Sequence, residues 1–330
     1  MPRGEAMAQT GNWAFPARLQ PRPEKLRFDL GAALQSVVLV HSEVPAEAFT
    51  ASALGTERIG NGTVISSDGL VLTIGYLMTE AESIWLTTND GTVVPGHALA
   101  YDQVTGFGLI QPLGRLNVQP IERGSAAAIG VGDSVIVIGQ GGLGHTLDAR
   151  IIAKREYAGY WEYLLEEALF TAPAHRQWGG TALIGEDGRL LGVGSLLVQE
   201  TLDGDTLEAN MFVPIDLLEP ILQEMMRLGR PARAPRPWLG MHTTPMRGHI
   251  VVLQLTQQGP ADLAGIRVGD IILEVAGEPV SDLAGLFRRV WSAGPAGTEI
   301  PLTLARDGAT SRVRIASGNR EDFLLKPRRH

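Results

Sequence analysis

The feature that most constrains this chain is its punctuation: short apolar or β-branched runs recur from Ser36 to Val198, and most of them stop at a turn built on glycine. Ser36–Val44 (SVVLVHSEV) opens the series. Asn61–Leu77 carries two runs joined by Ser67-Asp68-Gly69, and Ser83–Asp102 two more around Asn89-Asp90-Gly91. Thr181–Val198 repeats the design around Glu186-Asp187-Gly188. Such turns signal hairpins because glycine takes the positive φ that a tight reversal needs. Gly106–Leu113, Gly132–Gln140, Asp148–Glu156 and Leu169–Pro173 add single runs. Strands this short and this closely spaced argue for antiparallel barrels rather than βαβ units. Forty glycines and twenty prolines in 330 residues fit a turn-rich, mainly β chain.

Helical patterns are few. Ile215–Arg230 places Leu217, Leu218, Ile221, Leu222, Met225 and Leu228 on one face, which predicts a helix. Asp216 and Glu219 have the spacing of a capping box, and Gly229 is placed to stop the helix. The aromatic run Tyr157–Ala168 is expected to be helical in part, with Tyr157–Tyr163 forming a buried aromatic cluster. Pro231–Pro237 reads as a stiff linker. The expected organisation is an N-terminal arm over 1–25, a double barrel over 26–229, a Pro-rich linker over 230–237, a second module over 238–316 and a fraying tail over 317–330. The arm is ordered only if it docks on something.

The second module has its own signature in Gly259–Val280, GPADLAGIRVGDIILEVAGEPV. There a one-turn helix ends at Gly265, a Val-Gly-Asp turn follows, and a strand runs to Gly277. Ser281–Gly294 then reads as a helix with Leu283, Leu286, Phe287, Val290 and Trp291 on one face, and Arg306-Asp307-Gly308 turns a last hairpin. This module resembles a PDZ domain. In the first part, GNGTVI, LTIGYL, NDG, DQVTGFGLI, VGD, TAPAHRQWGGTAL and VPIDLL follow one another in chain order. That order of landmarks resembles serine proteases of the HtrA (Deg) type. The resemblance implies a mainly β chain: a chymotrypsin-like double six-stranded β-barrel followed by a PDZ domain.

Trypsin-like cleavage needs a serine nucleophile, a histidine base and an aspartate that orients the histidine. Carried over motif by motif, the histidine position falls on Tyr76, the aspartate position on Gly106 and the serine position on Trp178. A phenol that ordinarily titrates near pH 10 is a poor base at neutral pH. Glycine has no side chain, and an indole cannot attack a carbonyl. The loop before Gly179-Gly180 is also shorter than the family's and lacks its Gly-Asn pair, which puts an oxyanion hole over Arg176–Trp178 in doubt. The resemblance therefore implies a protease-like body with a degenerate triad. Two readings stay open for Tyr76 and Trp178, as aromatics packing a dead cleft or as the lining of a new pocket.

Of the seven histidines only His175 lies close in sequence to the former serine position, and no serine or threonine with a matching acid accompanies it. Thr181, just past the glycine pair, reads as a strand start. No converging histidine and carboxylate spacing points to a metal, the absence of cysteine rules out thiolate sites, and no cofactor is implied. The formal charge of −8 with scattered cations argues against nucleic acid. No apolar stretch is long enough for a membrane helix, and the start lacks a signal-peptide core, so a cytoplasmic location is expected.

The PDZ resemblance implies capture of C-terminal peptides or unfolded proteins. In that subtype a backbone turn holds the ligand carboxylate, matched here by Trp238, Leu239, Gly240 and Met241. Met241–Thr244 offers the receiving strand edge, and Leu286 and Val290 line the side-chain pocket. The family also implies a homotrimer, with Trp13 and Phe15 as candidate contact residues, or a mixed assembly with active relatives. The function expected is that of an inactive scaffold, adaptor or chaperone. The alternative is a working hydrolase with a non-standard active site.

Overall fold

The computed structural model describes residues 13–202 and 204–325. These fall into two compact units, one of the residues up to Arg155 with Glu167–Pro231, the other of Glu156–Glu166 with Ala232–Leu325.

The first unit holds two closed antiparallel barrels. Barrel one is built from β1 (Val37–Glu43), β2 (Glu57–Val64), β3 (Val71–Ile74), β4 (Ser83–Thr87), β5 (Val93–Tyr101) and β6 (Phe107–Pro112), in the order β1-β2-β3-β6-β5-β4. Barrel two uses β7 (Ser134–Ile138), β8 (Thr146–Gly159), β9 (Tyr163–Ala172), β10 (Ala182–Ile184), β11 (Leu190–Leu202) and β12 (Asp205–Pro214), in the order β10-β11-β12-β9-β8-β7. Closure leaves no sheet edge unpaired in either barrel. Val135, Val137, Leu147, Leu169, Leu183 and Phe212 fill barrel two, and Phe15 of the N-terminal arm joins them. The ring of Trp13 stacks on His145 at 4.2 Å. The arm from Trp13 onward is therefore docked on its own chain, and Phe15 is buried there. The rest of the expected arm, residues 1–12, lies outside the described residues.

Two expectations about helices are corrected. Tyr157–Ala168 is not helical: β8 and β9 pair as a hairpin whose turn is Tyr160–Glu162. Four aromatics in seven residues suit a strand surface, and Gly159 weakens a helix near the start of the run. The aromatic cluster does form, with Trp161 stacked on Tyr163 at 5.5 Å, but Tyr160 is 52 % exposed. The helix expected over 215–230 is split into a 3-10 turn, Ile215–Leu217, and a short α-helix, Leu222–Leu228. Pro220 lies between them, where its missing N–H and its ring break the ladder. Gly229 ends the helix at φ 75°. Asp216 does not form the capping box: its carboxylate accepts from Ser125 Oγ and from the Ala126 N–H (2.7 Å).

The second unit contains β13 (Met241–Met246), β14 (His249–Leu255), β15 (Ile271–Val275), β16 (Glu278–Pro279), β17 (Glu299–Arg306) and β18 (Ala309–Ala316). The sheet order is β13-β14-β15-β17-β18, with β16 paired to β15. The helix Leu283–Ser292 starts at Asp282, whose side chain caps the Gly285 N–H at 2.7 Å. It turns Leu286, Phe287 and Val290 into a core shared with Ile250, Val252, Ile272 and Leu302. Asp270, whose side chain is almost fully buried, holds Arg306 through two bonds of 2.6 Å. The tail is packed, not frayed, as far as it is described: Gly318 and Trp238 exchange backbone bonds of 2.9 and 3.0 Å, and Phe323 lies 4.7 Å from the Trp238 ring. Covering that indole is the physical reason. No helix among the described residues is long and apolar enough to cross a membrane.

Candidate functional site

The three positions carried over from the protease motif converge in the first unit. Tyr76 follows Gly75, whose N–H donates to the carbonyl of Gly106 at 2.7 Å. Gly106 sits at φ 85°, held by its N–H on the Asp102 carbonyl (2.8 Å). The Asp102 carboxylate caps this turn through Thr105 N (3.0 Å) and Thr105 Oγ1 (2.7 Å), so it faces its own loop. The Tyr76 hydroxyl donates to the carbonyl of Ser195 at 2.8 Å. Ser195 is the extra residue of a bulge in β11, where the register against β12 slips between Gly194 and Leu196. A bulged residue leaves a backbone group unpaired, and Tyr76 satisfies it. Burial holds the Tyr76 phenol well above its ordinary range, while an interaction with the Trp178 side chain pulls the other way. Tyr76 therefore remains a neutral donor.

The loop bearing Trp178 is fixed by its backbone. The Gln177 carbonyl accepts from Asn61 Nδ2 (2.9 Å), and the Gly179 carbonyl accepts from Asn61 Nδ2 (3.1 Å) and Asn61 N (2.8 Å). Asn61 Oδ1 in turn accepts from Gln140 N at 2.8 Å. The glycine pair has a packing reason independent of chemistry. A Cβ on Gly180 would stand 1.8 Å from the Asn61 carbonyl oxygen, and one on Gly179 would stand 2.7 Å from the Tyr76 hydroxyl. The Gln177 N–H, in the turn where an oxyanion hole is expected, donates to His175 Nδ1 at 3.2 Å.

His175 is completely buried, and both its ring nitrogens are in use. Nδ1 accepts from Gln177, so Nε2 carries the proton and donates to the His145 carbonyl at 3.0 Å. Burial lowers its pKa to about 4, with the adjoining His145 acting in the same direction and the bond to the His145 carbonyl opposing. A ring neutral at physiological pH, with its accepting nitrogen already bonded, is a structural group rather than a base. Thr181 Oγ1 donates to the Trp178 carbonyl at 2.9 Å and closes the turn. Among the described residues, no group of three or more histidine and carboxylate side chains is placed to hold a metal ion.

The second unit carries a groove of a different kind. The turn Trp238–Met241 aims three backbone N–H groups at one point, with Gly240 at φ 74°. The point is occupied by the carboxylate of Glu162. Its Oε1 accepts from Gly240 N (2.8 Å), Leu239 N (3.2 Å) and Met241 N (3.3 Å), and its Oε2 accepts from Leu239 N (3.0 Å). Beside it, Thr243 N on β13 donates to the Tyr160 carbonyl at 3.0 Å. Leu286 and Val290 are buried in a cluster that also contains Leu239, Met241 and Leu164.

Comparisons with known proteins bear on the two domains and their fold. Residues 60–193 match the family described as a trypsin-like peptidase domain, and residues 237–316 match the PDZ domain. Serine endoprotease DegS of Salmonella typhimurium is 28% identical over 301 residues, covering 86% of this chain and 83% of DegS. Periplasmic serine endoprotease DegP of Escherichia coli is 27% identical over 270 residues, covering 78% of this chain and 56% of DegP. This chain is a homologue of the HtrA serine endoproteases. It spans little more than half the length of DegP. Among solved structures, the serine endoprotease from Yersinia pestis superposes with a TM-score of 0.51 at 22% identity, over 89% of this chain and 99% of that one. The HtrA-type protease AlgW with decapeptide gives 0.52 at 18% identity, over 91% and 100%. These two show the shared fold.

Within this HtrA homologue, sequence reasoning missed two residues that organise the sites. Asn61 lies inside the GNGTVI landmark, where only the glycines attract attention. Its signal is a polar residue between two glycines in an apolar strand, a position that must be bonded once buried. Glu162 was hidden by its surroundings, a lone acid among aromatics in Tyr157–Tyr163.

Proposed function

We propose that this chain is an HtrA-type fold without proteolytic activity, serving as a scaffold, adaptor or chaperone that holds peptide tails or unfolded segments through its PDZ domain. The observation that carries the reading is Tyr76, a neutral phenol committed to the Ser195 carbonyl at the place where a base is needed. Gly106 has no side chain and Trp178 no nucleophilic atom. In a well-studied protease, losing the nucleophile or the base alone removes roughly a millionfold in turnover. His175 supports the same reading, because both of its nitrogens are engaged away from any attacking group. The Trp238–Met241 turn supplies the amides that peptide capture needs.

Assembly as a homotrimer, or with active relatives, belongs to the same proposal, as does a cytoplasmic location. DegP is a periplasmic relative, so cell fractionation decides the compartment and light scattering the assembly. The reading itself is tested by incubating unfolded casein for days with the wild type and with Trp178→Ala. No cleavage by either is expected. Cleavage by the wild type that Trp178→Ala abolishes overturns the scaffold reading in favour of a hydrolase with a non-standard site.

A further inference from the structure

We propose that the peptide groove of the PDZ domain is closed by a ligand of the chain's own, the segment Tyr160–Leu164, with the Glu162 side chain standing in for a C-terminal carboxylate. The proposal rests on the reading of this groove as a peptide-tail site and adds its regulation.

Each element of peptide capture has an internal counterpart. Capture by a PDZ domain combines a carboxylate held by a turn of amides, a strand added to a sheet edge and an apolar side chain in a pocket. Here Glu162 takes the amides of Leu239, Gly240 and Met241. The Tyr160 carbonyl takes the Thr243 N–H on the outer strand β13, as an added strand does. Leu164 is 6 % exposed within the cluster that holds Leu286 and Val290. Two further contacts fix the hairpin: Arg288, on the helix Leu283–Ser292, pairs with Glu156 and with Glu166. The Tyr160 ring lies 5.4 Å from that of His242.

The backbone is arranged for this contact. Glu162 has φ 60°, a left-handed conformation uncommon for a residue with a side chain. That conformation places the carboxylate at the tip of a three-residue turn. Burial pushes the Glu162 carboxyl up to about 7 against the pull of its three amide donors and of Arg320. An acid buried at that cost persists only where several amides hold it.

The occupant fixes the class of competitor. A displacing ligand carries a free α-carboxylate for the three amides and an apolar last side chain near the size of leucine for the place of Leu164. The internal segment is tethered, so it acts at a high effective concentration, and a free tail binds only the fraction of molecules whose groove is open.

The test uses the full chain as wild type, Glu162→Gly and Glu162→Gln. Glycine removes the carboxylate and accepts the positive φ without strain; glutamine keeps the shape and loses the charge. The probe is a pool of decapeptides randomised at the last four positions, with free or amidated C-termini. Retention of the free-carboxylate pool is expected to rise about tenfold or more in Glu162→Gly and by less in Glu162→Gln, with no retention of the amidated pool. In parallel, amide exchange at Leu239, Gly240, Met241 and Thr243 is expected to quicken at least tenfold in Glu162→Gly. Equal retention and unchanged exchange overturn the internal ligand and leave the peptide-tail reading standing. No retention by any form, with faster exchange in Glu162→Gly, overturns both the tail reading and the closure built on it, while keeping the contact.

Discussion

The hydroxyl of Tyr76 meets the carbonyl of Ser195 at 2.8 Å, so the side chain in the place of a protease base is joined to a bulge of the second barrel. The bond makes Tyr76 part of the framework. Tyr76→Phe removes the donor and leaves an enclosed carbonyl unsatisfied, at a cost of about 1–2 kcal/mol. Thermal unfolding of the variant is expected to fall by a few degrees. An unchanged melting temperature would show that water replaces the hydroxyl without loss.

Restoring the triad by substitution is expected to fail. Tyr76→His, Gly106→Asp and Trp178→Ser together supply the three side chains, but position 106 holds φ 85°. A side chain there costs of order 1–2 kcal/mol, and relieving it moves the turn that Asp102 caps. Casein incubated with the triple variant should remain intact. Robust cleavage would mean that the cleft is intact apart from its side chains.

His175 gives the first unit a pH dependence of known sign. Its folded pKa of about 4 lies below the ordinary 6.5, so the folded state takes up fewer protons between those values. Its contribution is complete above pH 6.5 and is lost as the pH falls through 4, amounting to roughly 3 kcal/mol. Urea unfolding at pH 7, 5.5 and 4.5 should show this decline, with a shallower decline in His175→Gln. Parallel slopes in the two proteins would assign the acid sensitivity to other groups.

Glu162 has the opposite sign. Its docked pKa of about 7 lies above the ordinary 4.5, so docking is strongest below pH 4.5 and weakens as the pH rises through 7. Arg320 faces it as a fixed charge. His242 on β13, whose pKa is lowered by burial and then by Arg320, adds a further positive charge only in acid. Opening of the groove, read from Gly240 and Thr243 exchange corrected for intrinsic rate, should become easier by about 1–3 kcal/mol from pH 5 to pH 8. A flat profile in the wild type would place the carboxylate in contact with water.

The barrels were legible because their signals are local: runs such as Val37–Val40 and turns such as Asn89-Asp90-Gly91 need no distant partner. The convergence of Tyr76, Gly106 and Trp178 was legible only through motif order, since no local pattern joins residues so far apart in the chain. The hairpin of β8 and β9 was not legible, because Tyr157–Ala168 mixes strand-forming aromatics with helix-forming Leu, Glu and Ala, and pairing across the turn decided the outcome. Pro220 stands early in the expected helix, where a missing N–H costs least, yet its ring ended the first turn. Glu162 was invisible for another reason: its partners are backbone amides of Leu239–Met241, and amides leave no mark in a sequence.

The hydrogen-bonding role of Asn61 also bears on how the protein ages. Asn61 precedes Gly62, the pairing in which a side-chain amide is most readily lost by attack of the next backbone nitrogen, and asparagine is among the residues that limit endurance to heat. The strand pairing of Gly62 with Val38 holds that nitrogen in an extended ladder and blocks the attack. Were the amide lost, two donated bonds to the Gln177 and Gly179 carbonyls would become repulsions between oxygens. The shelf life of the Trp178 loop is thus set by how long one strand of the first barrel stays closed.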